Sequence, residues 1–168
     1  RRVVTGSENN SAMFWSAETG KPLAAPIPHE GWVWTLAFSP DGRFVSCGTV
    51  DGAVVFRTSD WERVLFTKGD VLFATAFSPQ DSWLALPSQS GKLLQIWDVA
   101  TNREVTAMPH ASDPLSALFS TDGEHVCAIA ATAGQTWNLR GDATRRSLSG
   151  HTGYITQLAF HPAGRQLV

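Results

Sequence analysis

The sequence predicts an all-β chain built of repeated four-stranded antiparallel units. Three features carry this: a recurrence of about 41 residues, two-residue alternation within each period, and Gly, Pro and Asp punctuation between short apolar runs. Phe38 in "AFSPDG", Phe77 in "AFSPQD", Phe119 in "LFSTDG" and Phe160 in "AFHPAG" are separated by 39, 42 and 41 residues. Nine residues before each lies a fixed position, occupied by His29, Lys68, His110 and His151. Two anchors that agree in four registers define a repeat.

The strands follow in order within the period that starts at His29. Val33, Leu36 and Phe38 mark the first, and "SPDG" at 39–42 reverses the chain. "RFVSCG" at 43–48 is the second, "AVVFR" at 53–57 the third after the Asp51-Gly52 turn, and "RVLF" at 63–66 the fourth. The endings "MFWSAETGKPL", "VFRTSDWERVL", "QIWDVATNREV" and "TWNLRGDATRR" align Trp15, Arg57, Trp97 and Trp137, with Ser16, Thr58, Asp98 and Asn138 after them. No segment has helical periodicity. One such sheet leaves an apolar face uncovered, so successive sheets must stack face to face around a common axis. "RRVV" at 1–4 matches "RQLV" at 165–168, so residues 1–168 read as one repeat segment cut twice in the same strand, with both ends as crop points. Its units are expected at 1–28, 29–67, 68–109, 110–150 and 151–168.

Composition narrows the function. Hydrophobic residues make up 43% and charged residues 17%, with no apolar run long enough to span a bilayer, so no membrane is expected as partner. Thirteen basic and fifteen acidic residues give a formal charge of -2 with neither sign gathered in a tail, which argues against nucleic acid. Cys47 and Cys127 are far apart and lack metal-ligand spacing; they read as thiols of a reducing, cytoplasmic compartment. His29, His110 and His151 sit at equivalent positions of separate repeats and do not converge on an ion, and Asp41, Asp51, Asp98 and Asp122 take turn or cap positions. The sequence has no Walker loop, GxSxG or HExxH. No catalytic residue, metal or cofactor is therefore expected.

"GH" at 150–151, "AFSPDG" at 37–42 and "IWD" at 96–98, recurring at this period, resemble the WD-repeat (WD40) family, and "ETGKPLAAPIPHEGWVWTLAFSPDGR" at 18–43 resembles its bacterial members, often joined to signalling domains. The resemblance implies a β-propeller of four-stranded antiparallel blades, with about four WD repeats present out of a larger, seven-bladed type of ring. It also implies structural repeat positions, here His29, Asp51, Trp15, Trp97, Asp98, His110, Trp137 and His151. No repeat holds the family's full His, Ser/Thr, Asp and Trp set: Cys47 and Arg57 replace the hydroxyl and the tryptophan in one, Lys68 the histidine in the next, and Thr5, Asn9 and Trp15 fill three places in the first.

In propellers of this kind, the residues three and five after the histidine position and the one before the turn aspartate project onto the top face. Here these include Trp32, Trp34, Val50, Val71, Phe73, Asp113, Leu115, Tyr154 and Thr156. The set is aromatic and poor in charge, the composition of an interaction hot spot. Trp61 and Trp83 fall elsewhere and are expected to pack locally. The resemblance thus implies a non-catalytic scaffold that binds a protein or peptide, with self-association through open blade edges as a further expectation. The alternative is a sensor or ligand-binding propeller of a larger signalling enzyme such as a bacterial serine/threonine kinase.

Overall fold

A computed structural model of the chain describes residues 1–68, 75–88, 91–141 and 144–161. These residues form fifteen strands in four antiparallel sheets, with no helix among them. The first sheet holds β1 (Arg2–Ser7), β2 (Ser11–Ser16) and β3 (Ile27–Pro28). The second is β4 (Val33–Phe38), β5 (Phe44–Thr49), β6 (Gly52–Arg57) and β7 (Arg63–Lys68). The third is β8 (Ala76–Phe77), β9 (Trp83–Ser88), β10 (Leu93–Asp98) and β11 (Arg103–Pro109). The fourth is β12 (Ser116–Phe119), β13 (His125–Ala130), β14 (Ala133–Asn138) and β15 (Arg145–Leu148). In the four-stranded sheets, spatial order equals chain order.

Period-two alternation places successive side chains on opposite faces, and both faces of the middle strands are apolar. One face of the second sheet (Val33, Val45, Cys47, Val54, Phe56) packs on Ala12 and Phe14 of the first. Its other face (Phe44, Ala53, Val55, Leu65) packs on Leu84, Leu86 and Val99 of the third. The third then meets the fourth through Leu94 and Ile96 against Ala117, Phe119, Val126 and Trp137. Full burial of one such side chain contributes about 1.5–3 kcal/mol, so the cohesion of the stack resides in these three layers. Between the second and third sheets a buried hydroxyl pair, Ser46 Oγ to Thr75 Oγ1 at 2.7 Å, satisfies two polar groups that would otherwise be costly. The first strands make the approaches between sheets: β8 is in contact with both β4 and β12, β12 also with β9, and β4 with β1. They form the inner edge of the stack.

Phe38, Phe77 and Phe119 occupy the same place in successive sheets, the last residue of the inner strand, opposite Val45, Leu84 and Val126. Behind two of them the turn is built identically. The Ser39 hydroxyl donates to Asp41 Oδ1 at 2.6 Å and accepts the Phe44 N–H at 2.9 Å, while Arg43 N–H donates to Asp41 at 2.9 Å. Ser120, Asp122, Glu124 and His125 repeat these contacts. Gly42 and Gly123 follow with φ of 70° and 69°, the left-handed conformation that favours glycine.

Candidate functional site

Strand direction sorts the molecule into two ends: the Ser-Pro-Asp-Gly type turns at one, and at the other, called the top, the β5–β6 hairpin and the entry to β4. The entry to β4 contains a β-bulge. Val33 pairs with Thr49 and Thr35 with Gly48, so Trp34 is the extra residue. The bulge shifts the phase of alternation, and Val33, Leu36 and Phe38 all reach the same core despite their odd and even numbers. It also leaves Trp32 and Trp34 on the surface, 45% and 49% exposed, with ring centroids 5.4 Å apart and planes at 48°.

Gly31 brings the β5–β6 hairpin up to this pair. A Cβ on Gly31 would lie 2.8 Å from Val50 Cγ2 and 3.0 Å from Asp51 Oδ2, so the bare backbone is what admits the hairpin. Val50 is itself exposed. The structure thus brings together Trp32, Trp34 and Val50 on one sheet. Asp113, exposed, and half-buried Leu115 lie at the entry to β12 in the fourth sheet. Tyr154, 78% exposed, and exposed Thr156 follow that sheet, tied by Ile155 N–H donating to Ala131 O at 2.7 Å. Val71 and Phe73 lie outside the described residues.

The repeat positions make contacts of their own. The Trp15 indole N–H donates to Thr5 Oγ1 at 2.9 Å. His110 packs on Trp137 with centroids 5.9 Å apart, and its Nδ1 lies 2.8 Å from Ser112 O. His29 packs edge-on against Phe56 at the same 5.9 Å. Burial lowers the pKa of both histidines. His151 is exposed. Asp98 accepts from Ser82 Oγ at 2.6 Å and from Ala100 N–H at 3.0 Å, a cap on the end of β10. Asp51 N–H donates to Thr49 Oγ1 at 3.2 Å, and the Trp97 indole nitrogen is buried without a hydrogen-bond partner.

Register corrects one sequence alignment. Trp15, Trp97 and Trp137 stand opposite Val3, Leu84 and Val126, and the residue opposite the matching Val45 is Phe56, not Arg57. Arg57 pairs with Phe44 and instead ties the next turn through Asp60 at 2.8 Å and Glu62 at 2.7 Å. Hairpin length accounts for the offset from Trp15 alone: three residues separate paired ends in the first sheet and two in the second and fourth. The signal was present, because eighteen residues from Phe38 reach Phe56 just as eighteen from Phe119 reach Trp137.

Two clefts escaped the sequence reading. One of about 490 Å³ opens between the first and second sheets, lined by Ile27, His29, Phe56, Arg63 and Phe66 among others. The second, about 420 Å³, uses the matching Met108, Trp137 and Arg145 between the third and fourth sheets. Phe66, 48% exposed, was legible as the outward partner of Leu65 in "RVLFTK". Burial pushes the Cys47 and Cys127 thiols up to about 12, which leaves no thiolate at neutral pH. Asp122, Glu124 and His125 hold ligand atoms within 4.8 Å of one another, but Asp122 is engaged in its turn by Ser120 and the Glu124 N–H.

Stacked four-stranded meanders with their first strands innermost define a β-propeller. Residues 20–56 and 143–168 match the family model described as WD domain, G-beta repeat. In these two stretches the chain is similar to WD repeats, and its fold is that of a propeller. Over 98% of its length it is 24% identical to "Guanine nucleotide-binding protein subunit beta" of Oryza sativa subsp. japonica, covering 48% of that protein. It is 23% identical over 98% of its length to the same-named protein of Solanum tuberosum, covering 49% of it. The chain therefore spans about half the length of the curated relatives it matches. The solved structure titled "Structure of U3-55K" superposes with a TM-score of 0.79 at 18% identity, over 95% of this chain and 51% of that one.

Proposed function

We propose that this chain is part of a non-catalytic WD-repeat scaffold, one portion of a larger propeller, that holds a protein or peptide partner across its top face. The observation that carries the reading is the exposed Trp32–Trp34 pair, raised on a β-bulge beside Val50. Large aromatics held in one geometry outside the core are the residues that dominate interface energies. Val71, Phe73, Asp113, Leu115, Tyr154 and Thr156 complete the proposed surface. Relatives named as subunits of a guanine nucleotide-binding protein fit a life in assemblies. The separated histidines and high thiol pKa values fit a role without catalysis. No helix among the described residues is long and apolar enough to cross a membrane, and two reduced thiols suit the cytoplasm.

The test is Trp32→Ala combined with Trp34→Ala, followed by affinity capture from the source cells and by thermal denaturation. The expected outcome is loss of captured partner with stability within about 2 kcal/mol of the parent. A collapse of folding would assign the rings to the core and overturn the reading.

A further inference from the structure

Four aromatics elsewhere in the chain are covered by its own arginines. Arg2 lies 5.6 Å from the ring centroid of Trp61, Arg43 5.6 Å from Phe44, Arg63 5.7 Å from Phe66, and Arg140 5.9 Å from Trp83. Trp32 and Trp34 are among the most exposed large apolar residues, and like the exposed Tyr154 they have no such cation among the described residues.

Acids are distributed with the same asymmetry. The ion pairs Arg43–Asp41, Arg57–Asp60, Arg57–Glu62 and Arg140–Asp81 sit at the end opposite the tryptophans. At the top, Glu30 precedes Trp32 by two residues, and the Asp51 carboxylate lies against Gly31 between them. Glu8 lies in the β1–β2 turn at the same end, two residues beyond Gly6, which packs against Val33 between the two tryptophans. All three are exposed, and none forms an ion pair among the described residues. Lys68, at the end of β7 paired with Gly52, is a charge of the opposite sign on the same sheet.

Two tilted indole faces attract a cation by their quadrupole, and surrounding carboxylates raise its local concentration while repelling acids and phosphates. We propose that the Trp32–Trp34 pair receives a basic side chain, lysine, arginine or an N-methylated form, presented by the protein segment that docks on the top face. The inference rests on the top-face reading above and adds the identity of the anchoring group. It excludes a purely apolar anchor and an acidic one.

The test uses fluorescein-labelled nine-residue peptides of Gly, Ser and Ala carrying one central guest: lysine, trimethyllysine, arginine, norleucine or glutamate. Binding to the whole chain is read by fluorescence anisotropy at two salt concentrations. The cationic guests are expected to bind about fivefold more tightly than norleucine, with glutamate weakest. Trp32→Leu and Trp34→Leu should abolish the preference while retaining apolar bulk. Asp51→Asn with Glu30→Gln should reduce it for lysine and arginine and remove most of its salt dependence. Norleucine binding as well as lysine, a preference that survives both leucine variants, or no binding by any cationic guest overturns the proposal. Tryptophan-dependent binding without cation preference would sink this inference alone, whereas binding indifferent to both tryptophans would sink the top-face reading with it.

Discussion

Asp41 shows how much one side chain organises in a short reverse turn. Desolvation by itself would push its carboxyl up, but hydrogen bonds from the Ser39 hydroxyl and the Arg43 N–H, with the Arg43 guanidinium beside it, bring it down to about 2. A carboxyl held below its unfolded value stabilises the fold once it ionises. Its contribution is full above about pH 4 and disappears as pH falls from there toward 2. Thermal melts across this range should show part of the acid destabilisation missing in Asp41→Asn, because the amide has nothing to titrate. Near neutral pH the same variant should be less stable by about 1 kcal/mol, a modest figure because the ion pair stands in solvent. Equal acid sensitivity in parent and variant would show that the turn contributes nothing to the pH profile. Asp122 is lowered by the equivalent Ser120 hydroxyl and Glu124 N–H, so a double variant should lose both increments.

Two glycines in the second sheet look alike in sequence, each after an aspartate, and differ at the level of the element. Gly42 has φ of 70° with open space where a Cβ would go, so Gly42→Ala carries only the conformational penalty of about 1 kcal/mol. Gly52 opens β6 with φ of 146°, and a Cβ there would meet the Thr67 carbonyl oxygen at 1.8 Å. Gly52→Ala must separate β6 from β7 and should cost about 3 kcal/mol or more in urea unfolding. Near-equal costs would show that the β6–β7 pairing yields easily. The contrast marks what was readable in advance. Repeat period, strand order and the shared phenylalanine place were legible because burial imposes alternation on every copy. The bulge at Trp34 was encoded too, in the odd-to-even step from Val33 to Leu36, but simple alternation hides an inserted residue. Phe56 was missed against Trp15 because the first hairpin is one residue longer, although the equal spacing from Phe119 to Trp137 points to it. Clefts such as that beside Phe66 depend on how outer strands diverge between sheets, and no spacing within one copy reports that.

Across the whole molecule the two sides of the stack are unequal. β5, inside the second sheet, is buried at all six positions and hydrogen-bonded on both edges. Its counterpart in the first sheet, β1, is exposed at five of six and pairs only with β2 among the described residues. An unpaired strand edge with an apolar residue beside it, here Val3 at 44% exposure, is a template for another strand. In a ring this edge would meet an inner strand equivalent to β4, β8 and β12. The 168-residue chain alone should therefore associate through β1 in a concentration-dependent way, as read by sedimentation equilibrium. Val3→Lys should shift it toward monomer without lowering the midpoint of thermal unfolding, since a charge on an edge opposes pairing while the three layers between sheets stay intact. A chain that sediments as a monomer throughout would mean that the β1 edge is already covered, as it would be if the ends of this half-length segment closed on each other. Association that ignores Val3→Lys would move the contact elsewhere, and the exposed Trp32–Trp34 pair would be the next surface to substitute.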